Sequence, residues 1–184
     1  CQIAAGARGT VAALEPLVAE IGRPMFLTTG AAMHDPADPG RAVSWFEDCR
    51  AAGARGNRFY VQIPCQPLSF DFTMANAYPF HSHDAFADIK AADRARLTAA
   101  YRDPAWRARF RADLAAPKVG TIFKSDWDQV FIAAAARAAN EPLQNRTIAE
   151  LAAERASDPL DAMLDLALGE DLEHHAALLR RRQG

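Results

Sequence analysis

Through the first half of the sequence, short apolar runs alternate with longer amphipathic stretches, a pattern that predicts parallel strands joined by crossover helices. Gln2 to Ala5 reads as the first strand. After the turn Gly6-Ala7-Arg8-Gly9, a helix from Thr10 to Ile21 gathers Val11, Leu14, Val18 and Ile21 on one face, with Gly22 as its stop. Pro16 removes a backbone donor inside that helix, so a kink or a late start is expected. Met25 to Thr29 is the second strand. Asp38-Pro39 then opens a helix as an N-cap followed by proline, Ala42, Trp45, Cys49 and Ala52 repeat at helical spacing, and Gly53 supplies the left-handed residue at its end. Phe59 to Ile63 is the third strand.

From Pro64 to Phe80 the sequence holds three prolines and three phenylalanines without a period, and the stretch 64–88 is read as one long ordered loop. The second half is mainly helical. Asp103-Pro104 opens a helix carrying Trp106, Phe110 and Leu114 along one side, and Val119 to Phe123 and Val130 to Ala134 are candidate strands. Residues 146–184 form a helical end. In it Thr147-Ile148-Ala149-Glu150 is a capping box, Asp158-Pro159 opens a helix with Leu160, Met163, Leu164 and Ala167 on its inner face, and a last helix follows from Asp171. The expectation for 1–184 is a single α/β segment of parallel strand-helix units with a helical C-terminal part.

Charge and composition exclude several classes of function. With 21 basic and 23 acidic residues the net charge is -2, which offers no field to attract nucleic acid or anionic lipid. No apolar stretch reaches the roughly 18 to 20 residues that cross a bilayer. Cys1, Cys49 and Cys65 are odd in number and match neither a metal knuckle nor a redox pair, which suits a reducing cytoplasm. Arg far outnumbers Lys, present only at positions 90, 118 and 124, and Ala is abundant, as in a bacterium with a GC-rich genome. Because the sequence opens directly on a strand at Gln2, residue 1 is expected to be a cut end.

Few side chains suggest chemistry. The turn Gly6 to Gly9 matches neither nucleotide-binding fingerprint and reads as a plain strand-to-helix turn. His81 and His83, in His81-Ser82-His83-Asp84, are the candidate metal ligands, although two ligands alone hold a metal weakly and a solvated loop is the simpler reading. His34 follows the second strand at the end where ligands bind in parallel sheets; with Gln62 and Gln66 it makes up the set of candidate substrate-binding residues. Cys65 has no base placed beside it and reads as a structural thiol.

Three stretches carry a resemblance. They are Leu14 to Thr29, ending in Gly22-Arg23-Pro24-Met25-Phe26; Trp45 to Gly53 leading into Val61-Gln62-Ile63; and Arg146 to Ala152 followed by Asp158-Pro159-Leu160-Asp161-Ala162-Met163-Leu164-Asp165-Leu166. In order and spacing they resemble the D-aminoacylase and N-acyl-D-amino-acid deacylase branch of the amidohydrolase superfamily.

The resemblance implies part of a (β/α)8 barrel, from about its fifth strand onward, in an enzyme that hydrolyses the amide of an N-acyl-D-amino acid or a related non-peptide C-N bond with metal-activated water. It implies zinc or another divalent metal in the full-length enzyme and none in this chain alone. Family members carry a His-x-His pair on an early strand and a catalytic Asp on the last, and this chain starts after the former and stops before the latter. Thr28-Thr29 stands where many members have a metal-binding His, and Gln66-Pro67 where a subgroup has Arg-Pro, so no catalytic residue is carried over. The implied partners are a small-molecule substrate in the full-length enzyme and either a second copy or the remainder of the barrel to cover the sheet edges. The rival reading is a self-contained α/β binding or interaction module without catalysis.

Overall fold

A computed structural model describes residues 2–4, 10–28, 40–63, 68–118 and 121–180. The chain divides into two compact units, residues 1–68 with 180–184 and residues 69–179. Among the described residues the fold is mixed α/β, with a parallel sheet and flanking helices.

In the first unit the strands β1 (Gln2–Ala4), β2 (Met25–Thr28) and β3 (Phe59–Gln62) form a parallel sheet in sequence order. Phe26 lies opposite Tyr60, and Thr28 opposite Gln62. Between them run α1 (Val11–Ile21) and α2 (Arg41–Ala54). Thr10 caps α1, its hydroxyl accepting from the Ala13 N–H at 3.2 Å. Gly22, at φ +67°, ends the helix by donating to the Val18 carbonyl. The helix runs through Pro16, with no late start. Pro16 sits on its exposed side, so the bond lost from the Ala12 carbonyl is lost toward solvent.

The expected start of α2 at Asp38-Pro39 lies outside the described residues, and Gly40 is its N-cap. Gly53 is helical, contrary to expectation; the left-handed residue is Gly56, at φ +93°. The Arg55 and Asn57 N–H groups both donate to the Ala52 carbonyl, which carries the chain one tight turn past the helix before it reverses. Glu15 of α1 ties down this turn, accepting from Arg55 at 2.6 and 2.7 Å and from Asn57 at 3.0 Å. Those hydrogen bonds hold its carboxyl down at a pKa of about 2.

Val11, Val18, Met25, Leu27, Trp45, Cys49, Ala52 and Phe59 form the core of this unit. Among the described residues they cover one face of the sheet at β2 and β3. Alternation along β2 and β3 sends Met25, Leu27 and Phe59 into the core and the rings of Phe26 and Tyr60 outward, 44% and 48% exposed and stacked with centroids 5.3 Å apart.

In the second unit, the strand β4 (Leu68–Phe72), helices α3 (Arg94–Arg102) and α4 (Pro104–Ala115), strand β5 (Val130–Ala134), helices α5 (Ile148–Glu154) and α6 (Pro159–Gly169) and strand β6 (His175–Arg180) follow in chain order. Its sheet is ordered β4-β6-β5, with β5 and β6 antiparallel. Three local readings are corrected here. The stretch 64–88 holds β4 and two short 3-10 turns, Tyr78–Phe80 and Asp84–Phe86, because Ser69, Phe70, Asp71 and Phe72 alternate with period two between the prolines. Within the 146–184 stretch, residues 175–180 form a strand instead of the expected helix, since Asp171 and Leu172 take φ of +53° and +65° and break the helical path before β6. Residues 121–123 are irregular, while Val119 and Gly120 lie outside the described residues.

Side chains of Phe80, Phe86, Phe110, Phe123, Trp106 and Tyr101 fill the core of this unit. Their polar ends are satisfied: Tyr101 donates to the Met74 carbonyl at 2.9 Å and Trp106 to the Ala85 carbonyl at 2.8 Å. Leu160, Met163, Leu164 and Ala167 of α6 are buried as their spacing requires. The capping box of α5 is formed, the Thr147 hydroxyl accepting from the Glu150 N–H at 3.1 Å and the Glu150 carboxylate from the Thr147 N–H at 2.8 Å. Replacing Thr147 by Ala removes one of these bonds and is expected to cost about 1 kcal/mol in denaturant unfolding. An unchanged midpoint would show that water caps the helix equally well.

Candidate functional site

The sequence candidates fall into three groups. His34 and Gln66 lie outside the described residues, as do Cys65 and the Gly6 to Gly9 turn. Gln62 closes β3 in the first unit, exposed and on the same outward row as Tyr60, with Thr28 opposite it in β2. His81 and His83 belong to the second unit, between the 3-10 turns Tyr78–Phe80 and Asp84–Phe86.

The packing of the aromatic core determines the state of His83. It is 3% exposed, and its Nε2–H donates to the Phe123 carbonyl at 3.1 Å. A carbonyl only accepts, so Nε2 carries the proton. Burial, partly offset by that bond and by Asp113 and Asp84, holds its pKa below the ordinary imidazole value. His81 is half-buried beside the Phe86 ring, and its pKa is lowered by burial and by the charge of Lys90.

Around His83 a small concavity of about 10 Å³ is lined by Ser82, Asp84, Asp113, Lys118 and Thr121 among others. That is room for one water-sized group, far below the several hundred Å³ of a substrate pocket. Several of its polar groups are committed to the protein. Asp113 accepts from the Ala85 N–H at 2.7 Å, Lys118 pairs with Asp84 at 2.5 Å, and Thr121 donates to the Lys118 carbonyl at 3.0 Å. These bonds tie the Ser82–Phe86 segment to the end of α4 and hold the loop in place.

Among the described residues no group of three or more His, Cys, Asp or Glu side chains could hold a metal ion. The site residues described here therefore do not fit a zinc centre, and no chemical step is derived through one.

A second buried polar pair was not foreseen. Glu170, 1% exposed, follows α6 and accepts from the Ala136 N–H at 2.8 Å, the Arg137 N–H at 3.2 Å and the Asn140 side-chain amide at 2.8 Å. Burial pushes its pKa up, but these donors outweigh it and the net shift is downward. Nearby His174 is fully buried, with no hydrogen-bond partner at either ring nitrogen. Burial, opposed by the charge of Glu170, brings its pKa down to about 4, so it is neutral. A lone acidic residue after a helix and a histidine before an Ala-Leu run give no local signal of either environment.

No known family profile matches the chain, and no characterised protein matches it by sequence. Among solved structures it is similar to an N-acyl-D-glutamate deacylase from Bordetella bronchiseptica, solved with zinc and a phosphonate inhibitor that mimics the tetrahedral intermediate of the reaction. The TM-score is 0.46 and the identity 12%, over 95% of this chain and 26% of that one. The chain thus spans about a quarter of that protein's length. No helix among the described residues is long and apolar enough to cross a membrane.

Proposed function

We propose that this chain is a segment of a metal-dependent amidohydrolase barrel that cleaves the amide of an N-acyl-D-amino acid or a related C-N bond in the cytoplasm, with β1, β2 and β3 as consecutive staves of the barrel wall. The observation that carries the reading is the one-sided cover of the parallel sheet. Parallel sheets are ordinarily buried on both faces. Here the core residues of α1 and α2 cover the face of Met25, Leu27 and Phe59, while the stacked rings of Phe26 and Tyr60 stay half-exposed on the other. A closed barrel buries such a face by rolling it inward, where inward side chains fill the lumen in layers. The sequence resemblance supports the same placement. In this reading the metal is held by side chains beyond the described residues, the sheet edges are covered by the remainder of the barrel or by a second copy, and the partner is a small-molecule substrate.

The test compares the 184-residue chain with a product that carries flanking sequence. Metal content after dialysis and hydrolysis of a panel of N-acyl-D-amino acids with added zinc are measured for both. The longer product is expected to hold metal and turn over; the shorter is expected to do neither. About one tightly held zinc per 184-residue chain, lost when His81 and His83 are both changed to Ala and accompanied by turnover, would overturn the reading. It would also make the His81–Asp84 loop the active centre. A longer product without metal or turnover would favour the self-contained binding module.

A further inference from the structure

The chain passes from the first unit into the second after Leu68 and returns to the first at Arg180, so the second unit is an excursion within the first. Its entry strand β4 and its exit strand β6 are neighbours in one sheet, where Asp71 and His175 pair across them at 3.3 Å. The two ends of the excursion therefore lie side by side. Adjacent ends are what allow one domain to be set into a loop of another without stretching the host.

The two units differ in how far each satisfies itself. About 110 residues lie between 69 and 179, within the usual size of a domain. Every α-helix and strand from β4 to β6 gives buried side chains to one core, which among the described residues draws on the second unit alone. Polar side chains are tied up inside the same unit: Arg107 of α4 bonds Asp161 and Asp165 of α6 at 3.0 and 2.6 Å, and Glu170 holds the turn that carries Ala136, Arg137 and Asn140. The first unit has its own, smaller core between α1, α2 and the parallel sheet. All of the exposed large hydrophobic side chains among the described residues belong to it, from Leu17 on α1 and Phe46 on α2 to Tyr60 on β3. Burial of apolar surface is the main favourable contribution to a fold, and a region opens most easily where that burial is least complete.

We propose that residues 69–179 are an inserted domain that folds on its own core and stays folded when the first unit opens, and that the first unit opens separately at lower denaturant. The inserted domain stands whether or not the sheet of the first unit closes into a barrel.

Hydrogen exchange of the 184-residue chain, read by mass spectrometry on peptides from each unit along a urea series, tests this. Peptides from α1, β2 and α2 are expected to lose protection in one step, and peptides from α4, α5 and α6 in a second step at higher urea. Leu27→Ala removes a fully buried side chain from the first core and is expected to speed exchange there roughly a hundredfold while leaving the second step in place. Leu164→Ala, at an equally buried position in α6, is expected to lower only the second step. A single step shared by both units, two steps in the opposite order, or an equal response of both units to Leu27→Ala would overturn the proposal. If Leu27→Ala leaves the first unit open from the start, unchanged protection in α4, α5 and α6 supports the inserted domain, and loss of that protection overturns it.

Discussion

Changing Phe80 to Ala is expected to destabilise the second unit by about 3 to 5 kcal/mol, the range for removing a fully buried aromatic ring. Phe80 has no exposed surface, and its ring meets those of Phe72, Phe86, Phe110 and Phe123 at centroid distances of 5.4, 6.0, 5.6 and 5.1 Å. Three of the four are edge contacts, the arrangement in which the positive rim of one ring faces the negative face of another. Truncation leaves a cavity whose walls come from β4, a 3-10 turn, α4 and the loop before β5, and elements held from so many directions collapse poorly onto a void. The near-ultraviolet circular dichroism of the aromatic cluster, followed through a denaturant titration, reports the loss directly. Phe46→Ala serves as the control, because that ring is half-exposed on α2 and its removal should cost little. A loss below about 1 kcal/mol for Phe80→Ala would show that the cluster closes over the gap and is not packed as described.

The parts of this fold that could be read in advance are those whose cause lies within a few residues. Thr147 and Glu150 satisfy each other's backbone donors; Asp103 and Asp158 each cap a helix that begins with proline; and Gly22 adopts the one conformation its side chains' absence makes easy. The helix α3 has the same kind of signal, Asp93 accepting from the Arg96 N–H at 2.9 Å, but only Leu97 and Tyr101 of its nine residues are buried, so its apolar period is too sparse to notice. Strand β6 is the opposite case. Ala176, Ala177 and Leu178 favour a helix locally and are held extended by pairing with Ile132, Phe131 and Val130 of β5, more than forty residues earlier, a partner no local window contains.

The candidate site divides along the same line. Gln62 could be placed because period two along β3 fixes its face once the strand is recognised. His83 could not be interpreted, since the bond that occupies its Nε2 comes from Phe123, forty residues away. The His-x-His spacing that made it a metal candidate belongs, in the structure, to a loop anchored by a buried histidine-to-carbonyl bond.

Acidification should expose an electrostatic weakness at His174. With no exposed surface and no partner at Nδ1 or Nε2, the neutral ring already leaves one donor and one acceptor unpaired, and a charged ring would add the cost of an ion without solvent. Its folded pKa of about 4 lies below the ordinary 6.5; burial is the main cause, the positive charge of His175 acts with it, and Glu170 opposes. The unfolded chain therefore takes up a proton as pH falls through 6.5 while the folded chain resists until about 4, so stability is full above 6.5 and is lost between those values. The loss from pH 7 to pH 5 is expected to be about 2 kcal/mol from this one residue. Groups near it do not reverse the sign: Glu170, with its own pKa lowered, loses stability in the same direction below 4.5, and His175 is half-exposed against Asp71 at 3.3 Å. His81 and His83, both shifted downward, add to the same slope. His174→Leu isolates the share of the one side chain, because it removes the titration and the two unpaired nitrogens together while keeping an apolar group in the space. The variant should be at least as stable as the parent at pH 7 and should lose less stability than the parent between pH 7 and pH 5. Parallel stability curves for the two proteins would mean that the buried ring takes up its proton no later than an exposed one, and that Glu170, whose charge favours the protonated ring, compensates its burial in full.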